Sequence, residues 1–128
     1  MPREIVIISP QPPDTRALLE AAVAVDPDLL VRSLVEGAVH QIVRADPADP
    51  SPAAGTAVLS VNEPLRLEHP GEIRRLLPVD VLPAWTGQPY WWVDAVAPWD
   101  EKAGTEGVRI AQHLALGLDG LCVVLDGE

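Results

Sequence analysis

The stretch PYWWVDAVAP, residues 89–98, decides the fold, because its side chains alternate with the period of two that is typical of a β-strand. One face of this predicted strand carries Trp91, Val93 and Ala95, and the other carries Tyr90, Trp92, Asp94 and Val96. Trp91 and Trp92 therefore point to opposite sides of a sheet. Both indoles would be buried only if other elements covered both sides.

Other apolar runs predict the strands that surround this one. EIVIIS (4–9) and LCVVLD (121–126) are short, continuous and rich in β-branched residues, which is typical of strands covered on both faces. AVLSV (57–61) predicts a further strand, and PLRLEHP (64–70) predicts a further extended piece.

The segment DLLVRSLVEGAVHQIVRAD (28–46) is compatible with a helix or with a hairpin. Apolar residues recur at helical spacing from Leu30 to Ile42, but Gly37 lies in the middle, and valines and isoleucines alternate with polar residues. We predict a hairpin. Its two strands are residues 29–35 and 38–44.

Three segments predict helices. The first long helix begins after Asp14 as N-cap and stops at Pro27. TEGVRIAQHLALGLDG (105–120) predicts a second long helix, with Thr105 as N-cap and Gly120 at its end. PGEIRRLLP (70–78), with a proline at each end, predicts a short helix.

This order of elements predicts a single α+β domain over residues 1–128. We expect a two-layer arrangement, in which a mixed sheet of five to six strands packs against two long helices and one short helix through right-handed crossovers. The apolar content of 48% agrees with a globular fold. Residues 45–56, ADPADPSPAAGT, predict an exposed and mobile loop rich in proline and aspartate.

Three stretches also carry a resemblance. SLVEGAVHQIVRAD, AVLSVNEPLRLEHPGEIRRLLP and PYWWVDAVAPW, followed by a helix and a short apolar strand, resemble a group of small, uncharacterised actinobacterial α+β proteins over most of the chain. The resemblance implies the hairpin and carries no activity.

The charge of the chain limits its partners. A net charge of −10 repels nucleic acid and anionic membranes and favours the approach of a basic protein. Cys122 is the single cysteine, so no internal disulfide is possible. We find no secretory signal and no apolar run of membrane-spanning length, and therefore expect a cytoplasmic protein.

Catalytic and metal-binding motifs are absent from the sequence. His40, His69 and His113 are too far apart in the chain to share a helix face, so we expect no metal site and no cofactor. Cys122 lies within LCVVL, where burial would raise the pKa of its thiol and leave it inert.

All aromatic side chains lie between residues 85 and 99. If both long helices cover the same face of the sheet, one side of the aromatic strand stays open to a partner. The predicted binding residues are Tyr90, Trp92 and Asp94 at the centre, with Trp85, Trp99, Asp100 and Glu101 around them. Packing of the same rings into the core remains the alternative.

Three functions are compatible with these observations. The first is a non-enzymatic acidic protein-binding domain, for example an immunity-type inhibitor of a basic protein. The second is a small-ligand-binding protein or small enzyme with an aromatic-walled pocket, in which His40 or Glu63 supplies acid-base chemistry. The third is a homodimeric structural subunit that pairs through a sheet edge or an open sheet face.

Overall fold

In the computed structural model, which describes residues 2–68 and 90–125, the chain forms seven strands and two α-helices. In chain order these are β1 (Arg3–Ser9), α1 (Thr15–Val25), β2 (Leu29–Leu34), β3 (Val39–Arg44), β4 (Thr56–Asn62), β5 (Leu65–Leu67), β6 (Tyr90–Ala97), α2 (Glu101–Gly117) and β7 (Leu121–Leu125). The predicted α+β class is confirmed, with strands slightly more numerous than expected. The short helix predicted at 70–78 lies outside the described residues.

The strands form one open sheet in the order β2-β3-β4-β6-β1-β7, and β5 also pairs with β6. Every pairing among the described strands is antiparallel, so the predicted mixed sheet is wrong. Since β6 and β7 both pair with β1, they run in the same direction with β1 between them. Helix α2 therefore links two parallel strands that are not neighbours, a split β-α-β unit.

Both helices pack on one face of the sheet and against each other. The core between the layers includes Leu18 and Ala22 of α1, Ile110 and Leu114 of α2, and Ile5, Ile7, Ile42, Leu59 and Val93 of the sheet. This arrangement leaves the opposite face of the sheet without either of these helices. We call it the open face, in the sense that neither α1 nor α2 packs on it; several of its residues, among them Ile8, are buried.

The hairpin predicted within 28–46 is confirmed. β2 and β3 pair without interruption from Leu29 opposite Arg44 to Leu34 opposite Val39. The chain reverses through Val35, Glu36 and Gly37, all of which have positive φ, at 52°, 54° and 91°. Gly37 therefore lies in the turn of a hairpin and does not interrupt a helix.

The predicted N-terminus of α1 is confirmed, whereas that of α2 is not. Asp14 caps α1 as predicted, since its side chain accepts a hydrogen bond from the backbone N–H of Ala17. Helix α2 begins one turn before Thr105, because Asp100 serves as its N-cap and accepts from the N–H of Ala103 at 3.0 Å. The predicted start at Thr105 is wrong.

The loop at 45–56 is exposed over residues 46–51, and its final part contacts the sheet. Arg32 of β2 donates from Nη1 to the carbonyl oxygens of Ala53 and Gly55, each at 3.1 Å. Arg32 also donates from Nε to Gln41 at 2.8 Å. The end of the loop is thus held against β2.

Within the parts of the chain that the structure describes, no helix has the length and apolar character required to cross a membrane.

Candidate protein-binding face

Strand β6 lies in the middle of the sheet and has two different faces. Val93, Ala95 and Ala97 point into the core beneath the helices. Tyr90, Trp92 and Asp94 point to the open face, as the alternation predicted. Trp91 lies on the helical side and is half-buried.

The register places Trp92 in a row of apolar residues across the open face. Leu65 lies beside it on β5 and Ile8 beside it on β1, and Leu121 of β7 follows next to Ile8. Leu65 is 62% exposed and Trp92 is half-buried, whereas Ile8 is fully buried. The accessible part of this row is therefore the Leu65–Trp92 pair, with half-buried Leu121 at the other end.

Two exposed carboxylates accompany this row. Asp94 follows Trp92 on the same face, and its Oδ1 accepts a hydrogen bond from Trp92 Nε1 at 3.0 Å. Glu4 of β1 lies opposite Val96, which makes it a diagonal neighbour of Asp94 at roughly 7–8 Å. Across residues 2–68 and 90–125, neither carboxylate has an ion-pair partner. The open face is therefore both apolar and acidic.

Tyr90 belongs to the interior. It is 0% exposed and packs with Val6, Ile8 and Leu67 in a second buried cluster on the open-face side. Burial raises the pKa of its phenol. The prediction that Tyr90 lies at the centre of a contact surface is wrong, because its ring is enclosed within the monomer.

The other predicted binding residues do not join Trp92. Trp99, Asp100 and Glu101 follow the far end of β6, and the strand from Trp92 to Ala97 alone spans roughly 16 Å at about 3.3 Å per residue. Trp99 is 56% exposed and lies beside Arg3, whose guanidinium carbon is 5.9 Å from the ring centre. Trp99, Asp100 and Glu101 therefore lie beyond the opposite end of β6 from Trp92. Trp85 lies outside the described residues.

In a second charged cluster, one guanidinium is shared by two carboxylates. Arg44 of β3 contacts Asp26 after α1, with Nη1 2.9 Å from Oδ2, and it also contacts Glu106 of α2. The pKa of Asp26 is lowered first by the hydrogen bond from the N–H of Asp28 and then by Arg44. This cluster ties both helices to the sheet and leaves Glu106 unsuited to contact a basic partner.

His40, one of the residues considered for catalysis, lies beside a hydroxyl group in the structure. Ser33 Oγ and His40 Nδ1 are 2.8 Å apart on neighbouring strands, and Ser33 is exposed. A nucleophile activated in this way also requires a group that orients the base, and no carboxylate in the described segments hydrogen-bonds His40. The described part of the chain also contains no group of three or more His, Cys, Asp or Glu that could hold a metal ion. His113 is exposed, and His69 lies outside the described residues.

Cys122 is half-buried on the helical side of β7. Burial raises the pKa of its thiol to about 11, in the direction that the sequence predicted. The thiol is therefore almost entirely protonated at neutral pH, which makes it a poor nucleophile.

Sequence reasoning missed Glu4 and Leu65 as members of the open face. Both lie beside β6 only through long-range strand pairing, and no local pattern signals that pairing. Alternation around Leu65 could have indicated a side shared with Leu67, but not which strand it joins.

Comparison of the chain with protein-family models, curated proteins and solved structures found no match. The resemblance to small actinobacterial proteins stays an expectation.

Proposed function

We propose that the chain is a non-enzymatic, acidic protein-binding domain whose contact surface lies on the open face around Trp92. The observation that carries the proposal is the side-by-side placement of half-buried Trp92, exposed Leu65 and exposed Asp94 on the side of the sheet away from both helices. An aromatic ring fixed by a hydrogen bond and flanked by apolar and charged groups is typical of a binding hot spot.

The chemistry of the partner follows from charge. Asp94 and Glu4 have no ion-pair partner among the described residues, and the whole chain carries −10. Both features favour a basic protein, since complementary fields accelerate encounter and select against acidic partners. An immunity-type inhibitor that covers the cationic site of a toxin is one concrete form of this function, in a cytoplasmic setting and without a cofactor.

Apolar contact supplies the affinity. If a partner covers roughly 100 Å² of the Trp92 and Leu65 side chains, the apolar gain is about 2–3 kcal/mol at about 25 cal/mol per Å². Trp92 needs little ordering on binding, because Asp94 already holds its indole nitrogen.

The small-ligand alternative receives less support. A wide hollow of about 580 Å³ at the start of α2 is within the range of roughly 300–1,000 Å³ usual for ligand sites, but its lining residues, Asp100, Glu101, Lys102, Thr105 and Glu106, provide no aromatic wall. A second hollow, between α1 and α2, has a volume of about 140 Å³, below that range. It is lined by Ala17, Glu20, Ala21, Ala24, His113, Leu114 and Gly117 and includes no aromatic ring other than the exposed imidazole. This hollow lies on the helical side, away from Trp92.

The test is capture of a partner from the native host with the tagged chain as bait, followed by affinity measurement on the isolated pair. We expect Trp92→Ala to weaken binding at least tenfold. Leu116→Ala is the matched control, since Leu116 is 75% exposed but lies on α2. Equal affinity of Trp92→Ala and the unchanged protein would contradict the proposed surface, as would an equal loss in both variants.

A further inference from the structure

The two ends of the described sheet differ in their readiness to accept another strand. At one end, β2 carries Arg32 and Ser33 in its middle, and the end of the 45–56 loop is hydrogen-bonded to Arg32. A charged side chain in the strand is one of the features by which natural proteins protect a sheet edge from pairing.

At the other end of the described sheet, β7 has no charged side chain. Its sequence, Leu-Cys-Val-Val-Leu, has no charge and no proline, and it pairs with β1 in an unbroken register from Leu121 opposite Ile8 to Leu125 opposite Glu4. No described strand pairs with its outer side. Alternate backbone N–H and C=O groups of β7 therefore point away from β1, as in any antiparallel edge strand.

Acidic groups lie near both ends of β7, one before the strand begins and one on neighbouring β1 beside its last residue. Asp119 is exposed two residues before β7 begins, and exposed Glu4 lies opposite Leu125, where the strand ends. A second copy of the chain, itself at −10, would bring carboxylates against carboxylates. An extended segment with lysine or arginine would instead find opposite charge at each end.

We propose that a basic partner adds an extended segment to the outer edge of β7 as an additional strand of the sheet. This inference depends on the proposed function, from which it takes the basic partner, and it specifies how that partner binds. Main-chain hydrogen bonds supply the contact, and alternate side chains of the added strand lie beside those of β7. Its open-face side chains would flank Leu121, Val123 and Leu125, and the others would flank Cys122 and Val124.

The added strand would also be continuous with the proposed surface. Leu121 lies in the same row of the open face as Trp92, with Ile8 between them. A partner could therefore pair its backbone with β7 and cover Trp92 with the residues that follow.

The probe is a nine-residue synthetic peptide in which lysine alternates with valine. Two matched peptides separate the causes of binding: one has glutamate in place of lysine, and the other keeps the side chains but is N-methylated at alternate backbone nitrogens. Binding to the ¹⁵N-labelled chain is followed by amide hydrogen exchange. We expect the lysine peptide to slow exchange at alternate residues of β7 at least tenfold, and both matched peptides to leave it unchanged.

Two substitutions test the location. Val123→Lys should weaken binding of the lysine peptide at least tenfold, whereas Leu34→Lys, which introduces lysine on the opposite edge strand, should leave it unaltered. If Val123→Lys fails to fold, the N-methylated peptide gives the same information with the unchanged chain.

Three results would overturn the inference. The lysine peptide could bind without protecting β7, it could bind as well when N-methylated, or β7 could be protected without peptide in proportion to chain concentration, which would identify a second copy as the occupant. Retention of the Trp92→Ala effect in any of these cases would leave the proposed function standing. If instead the lysine peptide protects alternate residues of β7 but Trp92→Ala binds the captured partner normally, only the proposed surface around Trp92 would be contradicted.

Discussion

The indole nitrogen of Trp92 donates a hydrogen bond to Oδ1 of Asp94 at 3.0 Å, and both side chains lie on the open face of β6. The contact holds the ring in one orientation next to Leu65. It also leaves the second carboxylate oxygen of Asp94 able to accept from a partner. An apolar anchor and a charged acceptor are therefore presented together.

Asp94→Asn should separate these two roles. The amide oxygen can still accept from Trp92, so we expect the free energy of unfolding to change by less than about 0.5 kcal/mol. Loss of the charge should weaken binding to the captured basic partner several-fold at low salt, and this difference should shrink as salt screens the charge. Asp28→Asn, an exposed carboxylate on a loop, is the control and should bind normally. Equal binding of Asp94→Asn and the unchanged chain would show that the charge plays no part.

Gly107→Ala should destabilise the fold strongly. A Cβ on Gly107 would lie 2.1 Å from the carbonyl oxygen of Val58, so α2 can approach β4 this closely only with glycine at the contact. We expect a loss of at least about 2 kcal/mol in urea denaturation. Gly117→Ala is the matched control, because nothing lies within 4 Å of its added Cβ, and it should gain up to about 0.5 kcal/mol. A neutral Gly107→Ala would show that the two layers pack less closely than the structure has them.

A second glycine, Gly104, lies where the predicted start of α2 was wrong. Glycine has a low helix propensity, which is compatible with a start after Gly104, at Thr105. Packing reverses that preference, since a Cβ on Gly104 would lie 2.3 Å from the carbonyl oxygen of Pro98. The cap at Asp100 and these contacts are tertiary features that local sequence does not display.

The periodicity of the sequence predicted the features that are set within a single strand, namely its location and which side chains share a face. It correctly placed Trp92 and Asp94 on one face of β6, and it separated β2 from β3 around Gly37. It could not predict strand order, because insertion of β1 between β6 and β7 is decided by long-range pairing. For the same reason it could not show that Tyr90, on the same face as Trp92, is fully enclosed.

Val35→Asn should stabilise the hairpin. Val35 has φ of 52°, a left-handed conformation that a β-branched side chain rarely adopts and that asparagine tolerates well. Val35 is also 72% exposed, so little apolar contact is lost. We expect a gain of about 1 kcal/mol, measured by urea denaturation. Val39→Asn places the same change within β3 and should instead lower stability; a loss in both variants would argue against strain at the turn.

Cys122 should react slowly with thiol reagents in the folded chain. Burial raises the pKa of its thiol to about 11, so the thiolate fraction at pH 8 is on the order of 100-fold below that of a free cysteine. Alkylation by iodoacetamide should therefore be at least that much slower in buffer than in denaturing urea, with the rate still rising with pH above 9. Equal rates in the two conditions would mean that β7 opens readily or that the thiol is not shielded.

Stability should depend on pH through Asp26. The N–H of Asp28 and the guanidinium of Arg44 lower the pKa of Asp26 below its usual 3.8, so the folded state binds this proton less readily than the unfolded state. The stabilisation is therefore present above about pH 4 and is lost as the pH falls through the folded pKa. Urea denaturation of the unchanged chain and of Asp26→Asn between pH 3 and 7 should show a difference that is constant near neutrality and narrows in acid. Asp28→Asn, the control, keeps the backbone N–H donor to Asp26, so stability in this variant should fall in acid as it does in the unchanged chain. If the difference in free energy of unfolding between the unchanged chain and Asp26→Asn is as large at pH 3 as at pH 7, the charge of Asp26 does not stabilise the contact between α1 and β3.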